Sequence, residues 1–255
     1  MLPIPLATLT EHLATTLDPT GMTDYGPNGL QVDAAEPVRR IVTGVTANLA
    51  LINAAAEWDA DLLLVHHGIY WNGASATVTG PLGRRIRRLL DAKMSLVAYH
   101  LPLDAHPTLG NAHGLARHIG LGQLQPAFGH KGTDVGCVGV FDQPTAIDAV
   151  KALLCDRVNP ETRLFTGGPA NVTRVGVVTG GAARDVHGAI ALGCDLFITG
   201  EAGEYSQATA QEEAIHFAAC GHHRSERFGP QALADHLANT FPALETRYID
   251  IDNPI

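Results

Sequence analysis

The 255-residue chain is short of several things, and each shortage narrows what it can be. No apolar run approaches the roughly 18–20 residues that a membrane span needs. The start, Met1-Leu-Pro-Ile-Pro-Leu-Ala, has neither a basic region nor a cleavage-like site, so no secretory leader is expected. Its four cysteines, Cys137, Cys155, Cys194 and Cys220, form no C-x-x-C pair, and three sit in apolar stretches. They read as buried thiols in a reducing compartment, not as a disulfide framework or a zinc knuckle. Positive charge is scarce as well. Lys93, Lys131 and Lys151 are the only lysines, and the formal net charge is −9. An acidic chain is a poor candidate for wrapping nucleic acid or lying on an anionic membrane. Aromatics make up only 5% of the residues, so alanine, valine and leucine must fill the core. A soluble cytoplasmic protein is the expectation.

What is present alternates. Leu6, Leu9, Leu13 and Leu17 form a helical stripe, and Asp24 to Gly29 is a turn-rich loop. A strand over 40–46 precedes a helix that Asn48 can cap. Strands over 61–65 and 95–99 and helices over 82–92 and 109–119 follow. The pattern lapses into Gln, Pro, Gly and Lys around Gly122 to Thr133, where a boundary is placed. A second alternation then runs from 135 to 251, including a helix over 225–237. Strand-helix alternation implies α/β architecture with largely parallel sheets.

Three apolar, strand-like runs stop at histidine. Asp61-Leu-Leu-Leu-Val65 meets His66-His67-Gly68; Ser95-Leu-Val-Ala-Tyr99 meets His100, with Asp104 close behind; and Ile215 to Cys220 meets Gly221-His222-His223, with Glu226 following. Ligands in open α/β folds bind beyond the carboxyl ends of strands, and imidazole with carboxylate is a ligand set for a divalent metal. Taken singly, each piece has an ordinary reading: a structural His-His, a helix-start pair, a cap. Their joint placement points to metal. Adjacent strand residues face opposite ways, so His66 and His67 would rarely chelate one ion, although they can serve two. His222 and Glu226, four apart, share one helix face if a helix begins near His222. Three histidines and two carboxylates are too many for a closed tetrahedral zinc and suit two cations.

The stretches Val45-Thr46-Ala47, Val65-His66-His67-Gly68, His100-Leu-Pro-Leu-Asp104-Ala-His106-Pro107, Thr199-Gly200-Glu201 and Gly221-His222-His223-Arg-Ser-Glu226-Arg227 resemble the dinuclear-metal-centre hexameric family. That family is related to yeast NGG-interacting factor three and is often labelled a GTP cyclohydrolase I type 2 homologue. Asn28-Gly29-Leu30-Gln31 and Tyr248-Ile-Asp-Ile251 match too, so the resemblance spans the chain. It implies metal ligands at His66, His67, Asp104, His222 and Glu226, with His100 lining the site. It also implies two divalent ions per subunit (Fe, Mn, Ni or Zn) and a homohexamer built as a trimer of dimers. Many members carry a histidine four residues after the acidic residue of the Thr-Gly-Glu motif; here Tyr205 holds that position.

The fold expected is α/β: two intertwined lobes, 1–125 and 126–255, with mixed, largely parallel sheets and a metal site between them. The function expected is a metal-dependent hydrolase acting on a small anionic substrate, with purine ring opening as the family-suggested chemistry and His100 or Glu201 relaying protons. The alternative is a non-catalytic metal-binding scaffold or metal-handling protein with a protein or nucleic-acid partner. Thr179-Gly180-Gly181 before a helix reads as a plain turn, and Arg84, Arg85, Arg87 and Arg88 as a solvated or intersubunit face. His106 and His223 flank the site motifs as outer supports.

Overall fold

The computed structural model describes residues 3–18 and 20–255. Met1 and Leu2, part of the stretch read for a leader, and Pro19 lie outside the described residues. Two compact units emerge. One takes in the chain through Leu103 together with Gly229–Asp252; the other takes in Asp104–Phe228 with Asn253–Ile255.

The strands of the described residues are, in chain order, β1 (Gly29–Val32), β2 (Arg40–Thr46), β3 (Leu62–His67), β4 (Ser95–Ala98), β5 (Gly122–His130), β6 (Thr133–Ala146), β7 (Arg163–Phe165), β8 (Asn171–Val177), β9 (Leu196–Thr199), β10 (His216–Ala219) and β11 (Glu245–Tyr248). In the first unit the sheet order is β1-β4-β3-β2-β11. Four of these strands run parallel, and β1 lies antiparallel along β4 at the edge. Leu62 to Val65 are all buried because β3 is central and covered on both faces, which is why its sequence is a continuous apolar run. The helix Leu49–Glu57 begins at Asn48, whose side chain accepts a 2.9 Å bond from the Leu51 amide. Leu51, Ile52 and Ala55 of that helix join Val42, Leu63, Val65, Leu89 and Leu96 in one core.

The second unit has the order β5-β6-β8-β9-β10-β7, with a parallel centre β8-β9-β10 and antiparallel flanks. Val175, Val177, Leu196, Ile198 and Ala218 pack there against Leu115, Val150 and Leu154 from helices. Both units use the same device at the entry to a central strand. Asp61 Oδ2 accepts from the amides of Arg39 and Arg40, each at 2.8 Å, and Asp195 Oδ2 accepts from those of Thr173 and Arg174 at 2.8 and 2.9 Å. The carboxylate clips the start of one strand to its neighbour in each sheet.

The units do not part at 125/126. The stretch around Gly122 folds as the antiparallel pair β5-β6, and β11 returns to pair with β2 in the first sheet. An edge strand is only half buried, so β5 tolerates the Gly, Gln and Pro that break an apolar pattern. The strands read over 61–65 and 95–99 are present within a residue or two. The helix expected over 225–237 is two helices, His222–Ser225 and Phe228–Thr240. No helix of the described residues is long and apolar enough to cross a membrane. All four cysteines are free, and burial pushes the Cys137 and Cys220 thiols up to about 12 and Cys194 to about 11.

Candidate metal centre

In the first unit, the chemistry gathers where β3 and β4 end. His66 and His67 close β3, and His100 follows β4 two residues on. One ligand-type nitrogen from each of the three lies within 4.8 Å of the others. The ring centroids stand 4.5 Å apart for His66–His67, 4.9 Å for His66–His100 and 5.4 Å for His67–His100. Strand alternation argues against two adjacent histidines meeting, yet these two rings stand side by side at the last two residues of β3. A Cβ at Gly68 would strike the Gln31 side chain, whose Oε1 accepts from the Ile69 amide at 2.8 Å and whose Nε2 donates to Pro27 O at 2.9 Å. The Asn28 to Gln31 motif is therefore a brace. Asn28 Oδ1 accepts from the His100 amide at 2.8 Å while its Nδ2 donates to Asp24 at 2.9 Å.

Each of the three rings is held by its Nδ1. That atom of His66 lies 3.2 Å from the Tyr99 carbonyl oxygen, that of His67 lies 3.0 Å from Thr46 Oγ1, and that of His100 lies 2.7 Å from Asp24 Oδ1. A carbonyl and a carboxylate only accept, so Nδ1 of His66 and of His100 must carry the proton, and the Nε2 lone pair is left for a ligand role. Metal-bound histidines are oriented by such outer partners. Asp24 is the most heavily engaged of these partners. Its side chain is 3% exposed, and it also accepts from the amides of Tyr25 and Leu101. Burial alone would raise its pKa; bonds from His100 and Asn28, the His100 charge and the Tyr25 amide more than offset this and hold it at about 2.

In the second unit, the short helix His222–Ser225 follows β10, entered through Gly221 at φ 85°. His222 Nδ1 meets Glu201 Oε1 at 2.5 Å, and His222 Nε2 meets Glu226 Oε1 at 3.2 Å. Atoms that share one ion at bond lengths near 2.0–2.2 Å stand about 3 Å apart, and His222 and Glu226 already have that spacing. Burial would lower the pKa of His222, but Glu226 and Glu201 outweigh it and lift it to about 9. The Thr179-Gly180-Gly181 turn lies under this pair. Gly180 has φ +69°, and a Cβ there would collide with Glu226 Oε1. Its amide donates to Ser225 Oγ at 3.0 Å, and its carbonyl accepts from the amides of Gly200 and Glu201. Asp104 is buried beside the same turn. Its Oδ1 accepts from Asn111 Nδ2 at 2.9 Å and lies 3.4 Å from Thr179 Oγ1.

The donor set is imidazole nitrogen and carboxylate oxygen, without thiolate, and it fits a borderline divalent cation. Of the outer partners, Thr46, Asn28 and Gln31 fall within motif stretches of the sequence, whereas Asp24 is marked there only as part of a turn-rich loop. Glu201 is placed against His222 Nδ1. His106 Nδ1 accepts from the amides of Thr108 and Leu109, a turn-closing role. His223 is buried, with its amide bonded to Ile255 O. Tyr205 carries the Arg184 guanidinium 5.2 Å above its ring. Arg88 is tied to Asn53 Oδ1 at 3.0 Å.

The chain is similar to known proteins over its whole length. The model of the family described as Duf34/NIF3 (NGG1p interacting factor 3) matches residues 5–254. A Pseudomonas aeruginosa protein called a GTP cyclohydrolase 1 type 2 homolog is 42% identical over 254 residues, covering 98% of this chain and 99% of that one. A Vibrio cholerae protein of the same name is 41% identical, covering 95% and 96%. Among solved structures, protein ybgI, titled as of unknown function, superposes with a TM-score of 0.93 at 36% identity, covering 99% of this chain and all of that one. A Thermus thermophilus protein gives 0.86 at 31%, covering 99% of each.

Proposed function

The chain belongs to the Duf34/NIF3 family, and on that premise we propose that it is a metal-dependent hydrolase acting on a small anionic substrate. His66, His67, Asp104, His222 and Glu226 hold a dinuclear divalent centre, with His100 beside it, and the active assembly is a homohexamer. The observation that carries the metal reading is the treatment of Nδ1. In His66, His67, His100 and His222 that atom is engaged by a carbonyl, a hydroxyl or a carboxylate. Four rings oriented through the same nitrogen turn the other, Nε2, toward the proposed centre, where that of His222 already faces Glu226 Oε1 at 3.2 Å.

When bound, divalent ions supply Lewis acidity: they acidify water and stabilise negative charge growing on the substrate. The chain's own residues do the rest. Asp24 keeps the His100 ring in one orientation. Glu201 accepts a hydrogen bond from His222 Nδ1 and so orients the ring with Nε2 toward Glu226. Gly180 gives Glu226 the room to face His222. The name carried by the relatives makes GTP the first substrate to try, by attack of water at a purine carbon.

The test is elemental analysis of metal-loaded protein together with substrate profiling of His66→Ala and Glu226→Ala. Lower metal content and lost turnover, with fold and oligomer retained, support the hydrolase. Metal removal that only dissolves the oligomer, with no turnover of any substrate by loaded protein, supports the scaffold reading instead.

A further inference from the structure

The chain buries most of its large apolar side chains. Among the described residues, those left exposed include two aromatics, Tyr25 at 49% and Trp71 at 37%. Both border the same ring. The Tyr25 centroid lies 6.0 Å from that of His100, and the Trp71 centroid lies 5.2 Å from His100 and 5.7 Å from His67. Trp71 meets those imidazoles at 85° and 56°, so neither of them lies parallel to the indole. Residues 71–81 are exposed throughout and enter no helix or strand before Gly80, so the space around the indole is not filled by its own segment.

The two aromatics are held in fixed relation. The Asn72 amide donates to Tyr25 O at 2.7 Å, and Asn72 Nδ2 donates to Asp24 O at 3.0 Å. Gly26 passes so close to the Tyr70 carbonyl that a Cβ would collide with it. The Asp24–Asn28 loop and the Tyr70–Asn72 turn are thus stitched together, and the residue that orients His100 is the neighbour of one aromatic wall. An exposed indole costs solvation and gains nothing for the core. Placed at a histidine cluster on a braced loop, it offers a flat, polarisable face to a ligand.

We infer that Trp71 and Tyr25 form a stacking rim that positions a planar heteroaromatic ring, of nucleobase size, against the histidine cluster of His66, His67 and His100. The inference deepens the proposed function and rests on it for the substrate's presence there. Trp71 acts as a positioning and specificity residue.

Trp71 emission reads this directly, because the other tryptophan, Trp58, stands apart in the neighbourhood of Arg40 and Arg247, at 5.8 and 4.7 Å from its ring, and can be replaced as Trp58→Phe. The full chain in that background, loaded with Zn²⁺, is titrated with GTP, ATP and neopterin, and with tripolyphosphate and ribose 5-phosphate as ringless controls. Metal content and oligomeric state are measured on the same samples. A change in Trp71 emission with at least one ring-bearing probe is expected. Stacking energies of the usual size predict that Trp71→Ala weakens that probe at least about fivefold, that Trp71→Phe retains most of the affinity, and that binding of the ringless controls is unchanged. Equal affinity of wild type and Trp71→Ala for every ring-bearing probe, or no emission response to any of them, overturns the inference. So does loss of metal or of the oligomer in Trp71→Ala, since Trp71 would then be packing for the histidines or for a second chain. Wild-type protein that holds no metal but still binds a ring-bearing probe through Trp71 sinks the hydrolase reading and leaves the rim standing.

Discussion

Replacing Asp24 by asparagine removes one negative charge from a side chain that is 3% exposed and accepts four hydrogen bonds. The shape is conserved, but the new amide nitrogen faces N–H donors, so one or two of the four bonds turn into opposed donors. The pKa gives the size of the effect. Holding a carboxyl at about 2 when its ordinary value is 3.8 corresponds to about 2.5 kcal/mol in favour of the charged form. Because the folded pKa is lowered, that stabilisation is complete above about pH 4 and is lost as pH falls toward 2. Urea denaturation of metal-free Asp24→Asn at pH 5 should therefore show a loss of about 2–3 kcal/mol, with the gap to wild type closing below pH 4. The second readout is metal affinity by chelator competition. Outer-sphere partners of histidine ligands are worth about 10–100-fold in affinity, and the His100 ring loses its orienting acceptor. A stability loss under about 0.5 kcal/mol, or a metal affinity within threefold of wild type, would show that Asp24 is an ordinary loop carboxylate and that the His100 orientation has another source.

Other expectations follow from the same geometry. His222, lifted to about 9 by Glu226 and Glu201, is protonated at pH 7, so metal loading there should expel a proton. Calorimetry in buffers of different ionisation enthalpy would show it, with apparent affinity rising about tenfold per pH unit from 7 to 9 and then levelling; a pH-independent affinity would contradict it. Gly180→Ala places a Cβ against Glu226 Oε1 at φ +69° and should cost at least about 1 kcal/mol and weaken metal binding. Gly181→Ala, whose nearest neighbour is His222 Cε1 at 3.7 Å, should be close to neutral in thermal melts. In native protein at pH 8, an Ellman assay should find one readily reacting thiol, Cys155, since Cys137, Cys194 and Cys220 are buried with raised pKa values; a second fast thiol would contradict that.

The central strands and their helices were legible because burial writes itself into sequence. Leu62 to Val65 and Leu196 to Thr199 are covered on both faces and carry apolar runs that turn residues bracket. Edge strands leave no such trace. β1 and β7 are short and half buried, and β5 contains Gly122, Pro126 and Gly129. Each borrows its stability from a neighbour, by backbone hydrogen bonds that any side chain permits, so reading β5 as a boundary followed from its composition. The return of β11 to β2 is equally silent. Nothing in Glu245 to Tyr248 says which of two sheets will take it.

Candidate metal donors can be read from sequence and the groups that orient them cannot, and the reason is chemical. A ligand must be histidine or carboxylate, so His66, His67, His100, Asp104, His222 and Glu226 announce themselves by type and by position at strand ends. An orienting partner need only accept or donate one bond. Tyr99 serves through its carbonyl, which every residue has, Thr46 through a hydroxyl, and Asp24 through a carboxylate 76 positions from its partner. The neighbouring histidines illustrate the same limit from the other side. Period-two alternation says that His66 and His67 point apart, yet their ring centroids stand 4.5 Å apart at the end of β3. The next residue, Gly68, has no room for a Cβ because the side chain of Gln31, 37 positions upstream, lies against it, and only a folded chain makes that dependence visible.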